Sequence, residues 1–211
     1  MRFAKEDLLL YAVTDRRWLN HGETLCSQVE KAILGGVSFI QLREKELGKE
    51  EFLNEAQKIR TLCKNYGVPF VINDNVEIAV ISDADGVHVG QNDMDICQVR
   101  QKLGPDKIIG ASVHTVEEAL LAEAKGADYL GTGAAFSTGS KKDAKLLPPR
   151  MIEDICSAVK IPVIAIGGID KNNVEELRGK GLCGVAVISA VFGQPDIEAA
   201  ARELRKKLEY V

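Results

Sequence analysis

Several clusters in this chain have residue types and spacings that can do chemistry. Gln41-Leu42-Arg43-Glu44-Lys45 leaves a short apolar run, and at strand spacing Gln41, Arg43 and Lys45 point the same way. Two cations and an amide suit a polyphosphate, and the Arg43 guanidinium can take two oxygens at once. The same residues also suit a solvated charged turn. Asp74 and Asp93 follow neighbouring apolar runs and have the amides Asn73, Gln91 and Asn92 beside them. This oxygen-rich set suits Mg2+, which takes one or two carboxylates and completes its shell with water and substrate phosphate; Mn2+ fits the same ligands. For Asp74 alone, capping a helix that begins at Asn75 is the simpler expectation.

A second set suits a single phosphate. Gly167-Gly168 follows the run Val163–Ile166, and Gly184–Ile188 runs into Ser189. Glycine lets backbone N–H groups approach phosphate oxygens, although Gly-Gly also serves any tight turn. Between these sets, Phe136–Asp143 offers Thr138, Ser140 and Lys141 on a loop that lacks the G-x-x-x-x-G-K-[ST] pattern. It reads as a cover that grips phosphate, or as a surface excursion. Ser112 and His114 follow the run Ile108–Ala111, and His88 lies inside Gly86–Val89, where a satisfied core histidine is the plain reading. No Ser-His-Asp or Cys-His grouping can be assembled.

The elements that must position these residues repeat in a fixed order: apolar run, turn, amphipathic helix. The runs are Leu8–Val13, Val37–Leu42, Pro69–Ile72, Gly86–Val89, Ile108–Ala111, Tyr129–Leu130, Val163–Ile166 and Gly184–Ile188. Near-continuous apolar character implies strands covered on both faces, as in a parallel sheet. Helical patterns follow at Thr24–Ile33, Phe52–Cys63, Asn75–Ser82, Ile96–Leu103, Val116–Lys125, Pro149–Lys160, Asn173–Lys180 and Ile197–Leu208, with Thr115 and Asp170 as plausible caps. Eight such units in 211 residues predict a (β/α)8 barrel spanning residues 1–211 as one domain. A doubly wound sheet would use fewer strands and a glycine fingerprint after the first, which ends Val13-Thr14-Asp15. In a barrel, the residues singled out above all fall at the C-terminal strand ends, where catalytic groups reside.

Composition excludes other classes. With 27 Lys and Arg against 31 Asp and Glu, the net charge of −4 argues against a nucleic-acid partner, which calls for a basic face. No stretch approaches the roughly 20 apolar residues of a membrane span. The five cysteines are scattered without a C-x-x-C pattern, so a reducing cytoplasmic setting is expected. Small phosphorylated molecules are the expected partners; a homo-oligomer stays open beside a monomer.

Taken together, the stretches Leu10–Asp15, Gly35–Lys45, Val71–Asp74, Ala84–Asp93, Gly110–Thr115, Ala127–Gly131, Ala165–Ile169 and Gly184–Ser189 resemble the thiamine-phosphate synthase family, in the family's order and over nearly the whole chain. The combination Q-L-R-E-K, I-N-D and D-G-V-H-x-G-Q-x-D is specific. The resemblance implies a TIM barrel that joins 4-amino-5-hydroxymethyl-2-methylpyrimidine diphosphate to hydroxyethylthiazole phosphate by a dissociative substitution, giving thiamine phosphate and pyrophosphate. It implies that Gln41, Arg43, Lys45, Asn73, Ser112 and Lys141 bind the pyrimidine diphosphate, within substrate-binding runs that also include Leu42, Glu44 and Gly139. It implies Thr138, Ser140, Gly168, Ile188 and Ser189 on the thiazole phosphate, and Asp74 and Asp93 on Mg2+. Arg43, Lys45, Lys141 and Ser112 are the catalytic residues so implied. The loop departs from the family pattern: Ser137 stands in place of the usual proline and Ser140 in place of a second threonine, and the chemistry is expected to survive. A thiazole tautomerase, a sugar-phosphate isomerase or epimerase, and a non-enzymatic phosphometabolite binder are the alternatives on the same barrel. The joint presence of Gln41, Arg43, Lys45, Asp74 and Asp93 favours the synthase.

Overall fold

The computed structural model describes residues 3–19, 22–139 and 145–208. Its strands are β1 (Leu10–Val13), β2 (Phe39–Leu42), β3 (Phe70–Asn73), β4 (Gly86–Val89), β5 (Ile108–Val113), β6 (Tyr129–Thr132), β7 (Val163–Ile166) and β8 (Gly184–Val187). They pair in parallel with their sequence neighbours, and β8 returns to β1 to close the barrel. The expected (β/α)8 barrel is therefore the observed one. The helices are α1 (Leu25–Leu34), α2 (Lys49–Tyr66), α3 (Val76–Ile81), α4 (Ile96–Leu103), α5 (Val116–Ala124), α6 (Met151–Ala158), α7 (Ser189–Phe192) and α8 (Ile197–Leu208).

Strand alternation divides the core in two. One set of strand residues, including Leu10, Ile40, Leu42, Ile72 and Val87, packs outward against helix residues such as Val29, Ile59 and Leu204. The other set faces inward: Tyr11, Phe39, Val71, Ile108, Tyr129 and Ile164 fill the barrel. Each fully buried side chain of this size contributes roughly 1.5–3 kcal/mol of hydrophobic stabilisation. The lower interior is aromatic. Phe3 sets its edge against Phe39 and Tyr129, with ring centres 5.9 and 5.8 Å away. The upper interior is polar, and that is where the site lies.

Caps start several helices at the expected loop ends. Thr24, Asn75, Asp95 and Thr115 each accept a backbone N–H of the first turn. Asp74 is thus not the cap of α3, contrary to the simpler expectation: Asn75 takes that role, while Asp74 adopts a φ of 61°. Asp170 caps no helix either, since the expected helix over Asn173–Lys180 is only a 3-10 turn, Val174–Leu177. Gly179 and Gly181 deprive the segment of helix propensity just beyond it. The short α7 after β8 had no counterpart in the periodicity. The long stretch after β6 is tied down at its described ends: Ala134 N–H donates to Lys145 O, Leu147 N–H to Ala134 O, and Ala135 N–H to Ile166 O.

One glycine makes room for the interior. A Cβ on Gly110 would lie 2.1 Å from the Tyr129 ring and 2.5 Å from His88 Nδ1. Gly110→Ala is expected to cost about 1–3 kcal/mol, the scale of an overpacked core. Gly139→Ala, with nothing within 4 Å of the added carbon, should leave the midpoint unchanged. Urea denaturation of both variants checks this, and equal midpoints would show that the interior yields freely.

Candidate active site

A cavity of about 790 Å3 opens at the C-terminal ends of the strands. Its base is set by inward-facing strand residues, which alternation carries to one place: Tyr11, Gln41, Asn73, His88, Ser112 and Ile164 all line it. Gln41 Nε2 donates to the Tyr11 hydroxyl at 2.6 Å. The Tyr11 and Tyr129 hydroxyls are 2.8 Å apart, and Tyr129 is 2.9 Å from His88 Nδ1. His88 Nε2 lies 2.9 Å from Ser112 Oγ. His88 is thus buried and satisfied as expected of a core histidine, yet it also faces the cavity.

On one rim, Lys45 Nζ lies 2.6 Å from Asp74 Oδ2. Asp74 and Asp93 are within hydrogen-bonding reach of each other. The left-handed backbone at Asp74 turns its carboxylate toward these partners instead of toward the α3 amides. Burial works to raise the Asp74 pKa, but the hydrogen bonds from Lys45 and Asp93 and the Lys45 charge bring it below the usual range. Asp93 goes the other way: burial and the neighbouring Asp74 raise it, although Gly90 N–H donates to it at 2.7 Å. Two carboxylates in contact, one of them held above its ordinary range, call for added positive charge.

Arg43 lines the same cavity. Its NH1 is 3.6 Å from Asp15 Oδ2, whose nearer partner is Arg17 at 2.5 Å. Burial of Asp15 opposes ionisation, but the Arg17 hydrogen bonds and the Arg17 and Arg43 charges hold it below the usual carboxylate range. Arg43 Nε is buried with no hydrogen-bond partner among the described residues. A buried guanidinium N–H without an acceptor is costly.

The opposite rim carries Gly168, Ile188, Ser189 and Thr138, all lining the cavity. Gly168 has a φ of 65°, and a Cβ there would lie 2.3 Å from Ser137 O, so only glycine fits between the two loops.

Not every expected site residue reaches the cavity. Leu42 is fully buried in the layer between barrel and helices, because β2 alternation turns it outward while Gln41 points in. Glu44 lines the cavity, but its carboxylate is occupied by Arg16 Nη2 at 2.7 Å. Gly139 is exposed and does not line the cavity. Ser140 and Lys141 lie outside the described residues. Gln91 lines the cavity with its amide nitrogen donating to Ser112 O at 2.7 Å. Sequence reasoning missed Lys145, also on the cavity wall, and gave no role to Tyr11 or Tyr129. The available signal was a tyrosine at an inward position of an otherwise aliphatic strand, since a buried phenol seeks a hydrogen-bond partner.

Comparison with known proteins places this geometry. The family model for thiamine monophosphate synthase matches residues 10–191. The thiamine-phosphate synthase of Clostridium tetani is 46% identical over 198 residues, which is 94% of each chain. That of Syntrophomonas wolfei is 47% identical over 204 residues, or 95% of this chain and 96% of its own. The solved structure of thiamine phosphate pyrophosphorylase from Pyrococcus furiosus matches with a TM-score of 0.89 at 42% identity, covering 97% of both chains. With most of its length matched by the family model and near-complete relatives at this identity, the chain belongs to the thiamine monophosphate synthase family.

Proposed function

We propose that this chain performs the family reaction at the barrel mouth, joining 4-amino-5-hydroxymethyl-2-methylpyrimidine diphosphate to hydroxyethylthiazole phosphate with release of pyrophosphate. The observation that carries the reading is that Arg43, Lys45, Asp74 and Asp93 line one cavity, with Lys45 paired to Asp74. That rim takes the diphosphate, and Gln41, Asn73 and Ser112 beneath it take the pyrimidine. Thr138, Gly168, Ile188 and Ser189 on the far rim take the thiazole phosphate, and the family likeness adds Ser140 to that phosphate and Lys141 to the pyrimidine diphosphate.

Asp74 and Asp93 fit Mg2+: both are hard oxygen donors, and burial together with the neighbouring Asp74 raises the Asp93 pKa, a cost that a divalent cation relieves. When bound, the ion supplies charge neutralisation to the diphosphate. The residues do the rest. Arg43 and Lys45 stabilise the negative charge that grows as the C–O bond to the diphosphate breaks with its electron pair. The exocyclic 5-methylene carbon of the pyrimidine is left cationic, and the thiazole nitrogen closes the C–N bond with its lone pair. The second substrate must therefore be held close in advance and water kept out, which is the service of the Gly168 rim. No general base is needed, in keeping with a cavity built from anion binders. No described helix is long and apolar enough to cross a membrane. We place the reaction in the cytoplasm, where five unpaired cysteines persist.

The direct test is pyrophosphate release by the purified protein with Mg2+ and the pyrimidine diphosphate, with and without the thiazole phosphate. Release that depends on the thiazole, matched by thiamine phosphate, is the expected result. Binding of both ligands without product would overturn the reading in favour of a tautomerase or a binder. Asp74→Asn and Asp93→Asn should each lower kcat/KM on the order of 10^2–10^3-fold, the scale for loss of one electrostatic stabiliser. Wild-type rates at saturating Mg2+ in both variants would remove the metal assignment. Gly168→Ala should raise KM for the thiazole phosphate about tenfold or more and leave KM for the diphosphate near wild type, because the added carbon meets the Ser137 carbonyl on the thiazole rim. Steady-state kinetics with each substrate varied in turn checks this.

A further inference from the structure

Beneath the cavity, side chains from five strands form one unbroken hydrogen-bond chain: Gln41 on β2, Tyr11 on β1, Tyr129 on β6, His88 on β4 and Ser112 on β5. Every link is between 2.6 and 2.9 Å. The two ends, Gln41 and Ser112, line the cavity and are assigned to substrate above. The middle pair is buried, with Tyr129 and Tyr11 exposed by 0% and 1%. We propose that Tyr11 and Tyr129 are positioning residues: their paired hydroxyls hold His88 as the Nε2–H tautomer, which fixes Ser112 as a donor and Gln41 as an acceptor toward the ligand.

The argument is a count of protons. A phenol has one hydrogen to give. Gln41 Nε2 donates to Tyr11, so Tyr11 gives its hydrogen to the Tyr129 oxygen. Tyr129 must then give its own to His88 Nδ1. An imidazole that accepts at Nδ1 carries its proton on Nε2, and that N–H donates to Ser112 Oγ. The Ser112 hydrogen is thereby released for the cavity, and the Gln41 amide oxygen is left to accept. Burial pushes both phenols above the ordinary tyrosine range, so neither breaks the chain by ionising. Gly110 is part of the device, since a side chain there would occupy the space where Tyr129 meets His88. Pairwise bonds of this kind reinforce one another inside a dry interior. Two substrate contacts on separate strands then act as one unit. The kinetic part of this inference rests on the proposed assignment of Gln41 and Ser112 to substrate; the tautomer part does not.

The test begins with the ligand-free protein. There are three histidines, and His21→Gln with His114→Gln leaves the His88 ring alone for nitrogen-15 NMR. The expected spectrum shows an unprotonated Nδ1 and a protonated Nε2. In Tyr129→Phe the donor to Nδ1 is gone and the Nδ1–H form appears. Tyr11→Phe is the decisive variant because it does not touch His88: it frees the Tyr129 oxygen to accept from Nδ1–H, so both forms should be seen. An Nδ1–H tautomer in the parent would mean the chain runs in reverse and would overturn the proposal. So would a spectrum unchanged by either phenylalanine. In turnover, each phenylalanine variant should lower kcat/KM about tenfold, and Ser112→Ala should cost several-fold less in the Tyr129→Phe background than in the parent. Equal losses in both backgrounds would show that the ends act separately and would overturn the coupling. Absence of any turnover in the parent would fault the proposed reaction and leave the tautomer result standing.

Discussion

Closure of eight short strands governs everything else in this molecule. Most strands have four residues, so each offers two inward positions: one deep, one near the mouth. The deep positions hold Tyr11, Phe39, Val71, Ile108, Tyr129 and Ile164, which fill the barrel and make its base rigid. The next positions up, Gln41, Asn73, His88 and Ser112, have nowhere to point but a shared cavity. A one-residue slip in any strand would send these polar groups into the apolar layer beneath the helices and turn residues such as Leu42 inward. The site is thus a consequence of the same register that builds the core.

Charge at the mouth is arranged by a second tier of partners. Asp15 with Arg17, and Glu44 with Arg16, hold oppositely charged neighbours in place around the cavity wall. Arg43 reaches this frame through a long contact to Asp15, and its buried Nε has no hydrogen-bond partner among the described residues. Lys45 leans on Asp74 instead, and Asp74 leans on Asp93. Anion-binding and cation-binding groups therefore meet at one rim. The proposed diphosphate with a divalent ion would satisfy both, where a bare anion or a bare cation would satisfy only one.

Much of this was legible in the sequence, for physical reasons. Short apolar runs rich in Val and Ile set the strands, and Gly86–Val89, Val163–Ile166, Ile96–Leu103 and Ile197–Leu208 have the bounds the periodicity assigns. Polar residues directly after those runs could only fall at the mouth. What escaped were features decided by tertiary context. Asp74 reads as a helix cap until its backbone turns left-handed and Asn75 takes the cap. The helix expected after β7 has an apolar pattern, but glycines follow too closely for it to extend past one 3-10 turn. Leu42 and Glu44 sit inside a stretch that looks uniformly functional, and only the pleat and the Arg16 pair separate them from Gln41 and Arg43. Tyr11 and Tyr129 are far apart in the chain, and nothing local reveals that their hydroxyls meet.

The central claim is that Arg43, Lys45, Asp74 and Asp93 form one diphosphate and metal site, distinct from the Gly168 and Ser189 rim. A crystal structure with Mg2+ and pyrophosphate, the released product, addresses it most directly. The account predicts pyrophosphate against Arg43 and Lys45, with the ion between its oxygens and the carboxylates of Asp74 and Asp93. Pyrophosphate seated instead at Gly168 and Ser189, with Asp74 still paired to Lys45 and no ion beside it, would contradict the account.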